Sequence, residues 1–265
     1  MRLRTTLRMM MVPATLIGSM MFWQPAYSQV FSNLLNPILQ VWVRSQVQQV
    51  DDLQVTVSGP DSEVVNGRIR TIDISGRNVV YEGIPARSVN LRGTDIRLDT
   101  SGALRGGGLR LIQPVRADLA LSFSEQDVNT YLASPTFQEQ IRDLRVQLPS
   151  QLGGDGFTQV RLEIQNPRVR LQQGRLDLAA VLRIGQGEPA PIRISTGIEV
   201  ASPRQLRLTN ARLVPEQGES TPIESLSGLL IELGEEVEVR EVGILPGLLN
   251  LKGSFNIETT PVAAR

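Results

Sequence analysis

The chain has 265 residues, with 27 basic and 27 acidic side chains and neither histidine nor cysteine. That balance excludes the strongly basic footprint of a nucleic-acid binder. The two absent residue types exclude disulfide staples, Ser-His-Asp and Cys-His triads and most zinc sites, and they remove the commonest general base.

Residues 1–28 read as an export signal. Arg2, Arg4 and Arg8 form a basic start, residues 9–22 are apolar, and Ala26-Tyr27-Ser28 places small residues at the −3 and −1 positions. Cleavage after Ser28 would leave residues 29–265 as a single domain with 24 basic and 27 acidic residues. Its expected location is the periplasm or an equivalent extracytoplasmic lumen. Eight aromatic residues would remain, with Trp42 the only tryptophan, too few for the stacking platforms of a sugar or single-strand binder.

Residues 34–50 predict the first helix. Asn36 offers an N-cap acceptor and Pro37 suits the first helical position. Ile38, Leu39, Val41, Trp42, Val43, Val47 and Val50 spread over most of the circumference, leaving Gln40, Arg44 and Gln48 as a narrow polar seam. A helix apolar most of the way round expects to be enclosed. This one is too short and too polar to span a membrane, so the rest of the chain must cover it.

The cover reads as a sheet. Leu53, Val55 and Val57 alternate with polar residues, as in a half-buried strand, and Gly59-Pro60-Asp61 marks a turn. In the segments that follow, the apolar positions change parity. Ile72 and Ile74 precede Val79 and Tyr81; Val89 and Leu91 precede Ile96 and Leu98; Val160, Leu162 and Ile164 precede Val169 and Leu171. Leu206 and Leu208 precede Ala211 and Leu213, and Val237 and Val239 precede Val242 and Ile244. A parity change sends side chains to the other face unless a bulge inserts one residue. Gly76-Arg77-Asn78, Gly93-Thr94 and Asn166-Pro167 suit such bends. The pattern predicts long strands, each bent near its middle, that keep one apolar face; pairs of short strands in a sandwich are the alternative.

Further helices interrupt the strands. Ser124 can cap a helix over residues 125–133, with Val128, Tyr131 and Leu132 on one face. Ser134-Pro135 restarts a helix that carries Phe137, Ile141 and Leu144. Thr221-Pro222, with Glu224 completing a capping box, predicts a last helix bearing Ile223, Leu226, Leu229, Leu230 and Leu233. Residues 149–156 read as a loop between halves, and residues 237–257 as a hairpin turning at Leu245-Pro246-Gly247.

Candidate chemistry is sparse. Lys252, the sole lysine, shares a strand face with Ser254, but a solvent-facing lysine is the ordinary outcome there. Asp51-Asp52 and Glu235-Glu236 flank elements as solvated ends. Gly106-Gly107-Gly108 precedes a strand and no lysine follows, while Gly153-Gly154-Asp155-Gly156 lacks further acidic ligands. No catalysis, cofactor or metal is expected. The aliphatic helices and sheet then form either a closed core or a gap wide enough for acyl chains.

The stretch Leu35-Asn36-Pro37-Ile38-Leu39-Gln40-Val41-Trp42, then Val50-Asp51-Asp52-Leu53-Gln54-Val55, resembles the mature start of the LmeA-like family of bacterial envelope phospholipid-binding proteins. Leu121-Ser122-Phe123-Ser124-Glu125-Gln126-Asp127-Val128-Asn129, Leu245-Pro246-Gly247 and Gly253-Ser254-Phe255 fit the same family. The likeness runs over residues 31–258 and extends, more distantly, to tubular lipid-binding domains. It implies phospholipid binding outside the cytoplasm in support of the envelope, and it brings no catalytic motif. The expected fold is α+β: a long, bent antiparallel sheet wrapped around an N-terminal helix, with two further helices. Leu39, Val43, Val47, Ile141, Leu144, Leu226, Leu230 and Leu233 are the expected acyl-site residues. Expected partners are phospholipid and, transiently, a membrane surface, with no nucleic acid. The rival expectation is an assembly factor that binds a protein through a sheet edge and holds no lipid.

Overall fold

The computed structural model describes residues 30–99, 110–141, 145–147, 159–224 and 226–259. The first helix, α1 (Val30–Gln46), begins before Asn36 and ends before Val50. Pro37 therefore sits inside it, and Asn36 does different work from the expected cap. Its Oδ1 accepts the backbone N–H of Val57 at 3.0 Å. Val50 belongs instead to β1 (Gln49–Ser58), because Gln48 N–H already donates to Val80 C=O at 2.9 Å and draws the chain into the sheet.

The chain continues as α2 (Asp61–Val65), β2 (Arg68–Tyr81), β3 (Ile84–Asp99), β4 (Arg110–Leu111) and β5 (Val115–Ser124). Next come α3 (Glu125–Leu132), α4 (Pro135–Ile141), β6 (Arg145–Gln147), β7 (Gln159–Gln172), β8 (Arg175–Ile184), β9 (Ala190–Ser202) and β10 (Gln205–Leu213). The last elements are β11 (Thr221–Pro222), β12 (Leu230–Glu232), β13 (Val237–Leu245) and β14 (Leu248–Ile257). They form two seven-stranded sheets. The first runs β1-β2-β3-β5-β14-β13 with β4 on β3, the second β11-β10-β9-β8-β7-β6 with β12 on β10. Every strand pairing is antiparallel.

The predicted bends are present. Each parity change falls inside one continuous strand, and four of them carry a left-handed residue: Asn78 (φ 46°), Asp95 (φ 51°), Asn166 (φ 51°) and Asn210 (φ 51°). Asn and Asp tolerate that conformation because their short polar side chains bond locally. Register slips accompany the bends between Gln165 and Arg168, Thr209 and Arg212, and Val239 and Glu241. At the last slip Gly253 is obligatory for space: a Cβ there would stand 1.9 Å from the Glu238 carbonyl oxygen.

Both expected helix starts near residue 124 also form. Ser124 makes a capping box with Asp127, and the Phe137 N–H donates to Ser134 Oγ at 3.2 Å at the head of α4. The hairpin of β13 and β14 turns at Pro246-Gly247, with Gly247 at φ 74°. Leu144 and the predicted loop over 149–156 lie outside the described residues.

The helix expected from Thr221 to Leu233 is absent. Ile223 N–H donates to Ala211 C=O, Gly228 N–H to Leu208 C=O and Leu208 N–H to Leu229 C=O, so the segment runs along β10 as β11, a turn and β12. Gly228, at φ 103°, breaks the helical path, and a mid-helix glycine already costs about 1 kcal/mol.

The sheets join where β13, the edge of the first, meets the hairpin ends of the second. Val239 N–H donates to Pro203 C=O at 2.6 Å, Gly174 N–H to Ile244 C=O at 3.0 Å and Gly247 N–H to Leu171 C=O at 3.0 Å. Leu206, Val239 and Leu251 form one apolar cluster across this joint, and Val169, Leu171 and Ile244 another. The main core lies elsewhere, under α1, where Leu39 meets Leu53, Val55, Val64, Ile69 and Ile96. The first sheet is open, and α1 lies against it along β1 with Ile38 (47% exposed) and Val41 (71%) outside.

Candidate functional site: an aliphatic trough under the first helix

The bent strands create a hollow between α1 and the first sheet. Leu39 and Trp42 hang over it from α1. Its floor is Ile69, Ile72 and Ile74 of β2, Leu91, Gly93, Ile96 and Leu98 of β3, Leu111 of β4, Val115 and Ala117 of β5, and Ile257 of β14. Leu91 and Gly93 are odd-numbered, Ile96 and Leu98 even-numbered, yet all four face the same space because the bend at Asp95 lies between them. An unbent strand would turn half of these side chains to solvent. Gly93 keeps the floor low: a Cβ there would meet Ile96 Cδ1 at 3.1 Å and Ile72 Cγ2 at 3.2 Å.

Among the described residues the lining offers no titratable side chain, and its one polar group is the indole N–H of Trp42. The trough can therefore hold apolar matter by area burial but cannot orient a charged group. Its free volume is about 60 Å³, well short of the roughly 300–1,000 Å³ of pockets that enclose a small ligand. Two side chains of α1 hold the cover down. Gln40 Nε2 donates to Leu53 C=O at 2.7 Å, and Asn36 accepts from Val57 N–H. These bonds occupy backbone groups on the outer edge of β1, which has no neighbouring strand on that side among the described residues.

A larger hollow, of about 900 Å³, lies between the α3–α4 pair and β7–β8. Its walls are largely polar, with Asn129, Gln138, Gln165 and Arg168, and with Glu163 Oε2 accepting from Arg183 at 3.4 Å. Among the described residues, fewer apolar side chains face it than face the trough.

The eight residues expected at the site are not gathered in one place. Leu39 overhangs the trough, and Val43 and Val47 pack beside it against the main core. Ile141 lines the polar hollow, and Leu144 lies outside the described residues. Leu226 is half-buried in the turn before β12, Leu230 is 46% exposed on β12, and Leu233 packs at the joint between the sheets. The floor residues were missed. Their signal in the sequence is the parity-switched pattern itself, which predicts a cover for the first helix. Trp42, half-buried, borders the apolar trough.

Among the described residues no group of three or more acidic side chains is placed to hold a metal ion, and no helix is long and apolar enough to cross a membrane. A family model described as LmeA-like phospholipid-binding matches residues 27–254. No curated protein and no solved structure matches the chain.

Proposed function

The chain belongs to the LmeA-like phospholipid-binding family, and we propose that it takes phospholipid acyl chains into the trough beneath α1. One observation supports this most: among the described residues α1, β2, β3, β4, β5 and β14 contribute a continuous apolar lining, aliphatic but for Trp42. A hollow this tight must widen to admit lipid, and α1 is the element that gives way. Among the described residues its attachment includes the buried Leu39, the half-buried Trp42, Val43 and Val47, and the bonds of Asn36 and Gln40. Acyl carbons that enter between the floor and the side chains of Leu39 and Trp42 restore apolar contact at about 0.8 kcal/mol per CH₂.

In this reading the protein works without catalysis on the extracytoplasmic side, in the periplasm or an equivalent lumen, after loss of residues 1–28. It carries phospholipid between envelope membranes, touches each surface transiently and so supports the envelope. Mass spectrometry of lipid extracted from gently purified protein tests it. Phospholipid near one molecule per chain is expected, and it should be strongly depleted in Ile72→Asn. Lipid-free parent protein, or equal lipid in parent and variant, would overturn the reading.

A second reading has one observation in its favour. Leu230 and Ile231 of the short strand β12, and Leu229 just before it, are all exposed, which suits a protein partner that adds a strand there. A lipid-free parent that retained such a partner would favour it.

A further inference from the structure

The sheet that floors the trough carries an arginine pair on its other face. Arg68 opens β2 and stands directly opposite Arg97 of β3, both exposed. Like charges in directly opposed positions repel. Neither guanidinium has a carboxylate or side-chain hydrogen-bond partner among the described residues, whereas nearby arginines on the same strands are paired. Arg70 lies 3.7 Å from Glu63, and Arg92 lies 3.1 Å from Asp73. Arg110 stands in register with Asp99 and adds no net charge.

Exposed aliphatic side chains flank the pair. The N–H of Ile112, 62% exposed, donates to the Arg97 carbonyl at 2.9 Å. Val65, 47% exposed, precedes Arg68 across the turn whose Gly67 carbonyl accepts from Leu98 N–H at 2.8 Å. On the opposite face of these strands Ile69, Ile96 and Leu98 line the trough, as does Leu111, the neighbour of Ile112. The unpaired charge therefore sits at the same end of the sheet as the apolar site.

We propose that this end of the first sheet docks on an anionic phospholipid bilayer, with Arg68 and Arg97 on headgroup phosphates and Val65 and Ile112 among the upper acyl carbons. The planar guanidinium fork matches phosphate oxygens, and two forks face to face share one anionic surface without their mutual repulsion. The aliphatic flanks select a bilayer over a soluble anion, which would leave them in water. Residues 29–265 carry 24 basic and 27 acidic side chains, so attraction to an anionic surface is local to this patch. Docking there sets the mouth of the trough against lipid; the proposal rests on the trough being the phospholipid site.

The test is flotation of the exported chain, residues 29–265 in this reading, so that the basic and apolar signal adds no vesicle binding, with vesicles of phosphatidylcholine alone and of phosphatidylcholine mixed with phosphatidylglycerol. The parent should float with the mixed vesicles and about tenfold less with neutral vesicles or at about 1 M salt, where screening acts within about 3 Å. The paired substitution Arg68→Gln and Arg97→Gln should lower flotation about tenfold, with an unchanged circular dichroism spectrum. Ile112→Asn should lower flotation on the mixed vesicles as well. Equal flotation of the parent on both vesicle types, a comparison that needs no variant, would overturn the docking surface; so would parent-like flotation of the paired variant. Equilibrium dialysis against monomeric short-chain phosphatidylcholine separates the two layers of the argument. The paired variant should take up that lipid like the parent, since no bilayer is involved. If the parent takes up none, the trough reading itself fails, whatever the flotation result.

Discussion

Asn129 of α3 bonds twice to one residue of β7: its Oδ1 accepts the Val169 N–H at 2.7 Å and its Nδ2 donates to the Val169 carbonyl at 2.8 Å. One turn earlier, Glu125 Oε2 accepts the Leu171 N–H at 2.9 Å. Asn36 and Gln40 treat the edge of β1 in the same way. In both sheets a helix laid along a strand edge uses side chains four residues apart to occupy backbone groups that would otherwise lack partners. Asn129→Ala leaves the Val169 pair unsatisfied, and a urea melt should report a loss of about 1–3 kcal/mol. Gln40→Ala should behave differently. Leu53 C=O can then turn to water, so the expected cost is about 1 kcal/mol, but α1 lifts more readily and lipid uptake should be faster than in the parent; slower uptake would argue against α1 as the moving cover. Leu230→Asn, on an exposed site, should change stability by no more than about 0.5 kcal/mol and leave lipid binding intact.

At the scale of elements, the bent strands were the most legible feature of the chain. A parity change is a local count, and the residues at the switch points, Asn78, Asn166 and their neighbours, suit a bulge for local reasons. The segment after Thr221 was not legible in the same way. Ile223, Leu226, Leu230 and Leu233 recur at helical spacing, but the bonds that decide the outcome come from Ala211 and Leu208, which no window around residue 226 contains. The site was missed for a related reason. Its lining combines strands far apart in the chain, such as β2 with β14, and only the sheet order brings Ile72 and Ile257 together. Of the helix faces expected to line the site, only that of α1 borders the trough, through Leu39, and strands supply its floor. The β13–β14 bulge supplies an element-level prediction. Gly253→Ala would drive a methyl into the Glu238 backbone, so the joint between the sheets should weaken by about 3 kcal/mol, read as a lower urea midpoint.

For the whole molecule, two open antiparallel sheets share a joint at β13, and one of them carries a helix over an aliphatic floor. The sheet does not close around that helix, because the first sheet ends at β1 and leaves Ile38 and Val41 to solvent. That incompleteness is what lets α1 serve as a cover: a helix enclosed on every side could not move aside for lipid. The central claim is that acyl chains lie under Trp42, and quenching tests it most directly. The chain has two tryptophans, so in Trp23→Phe all tryptophan emission comes from Trp42. Loading that protein with phospholipid brominated along its acyl chains should quench the emission strongly relative to unbrominated lipid at equal occupancy. Stoichiometric bound lipid with no difference between the two would contradict the account and place the acyl chains elsewhere.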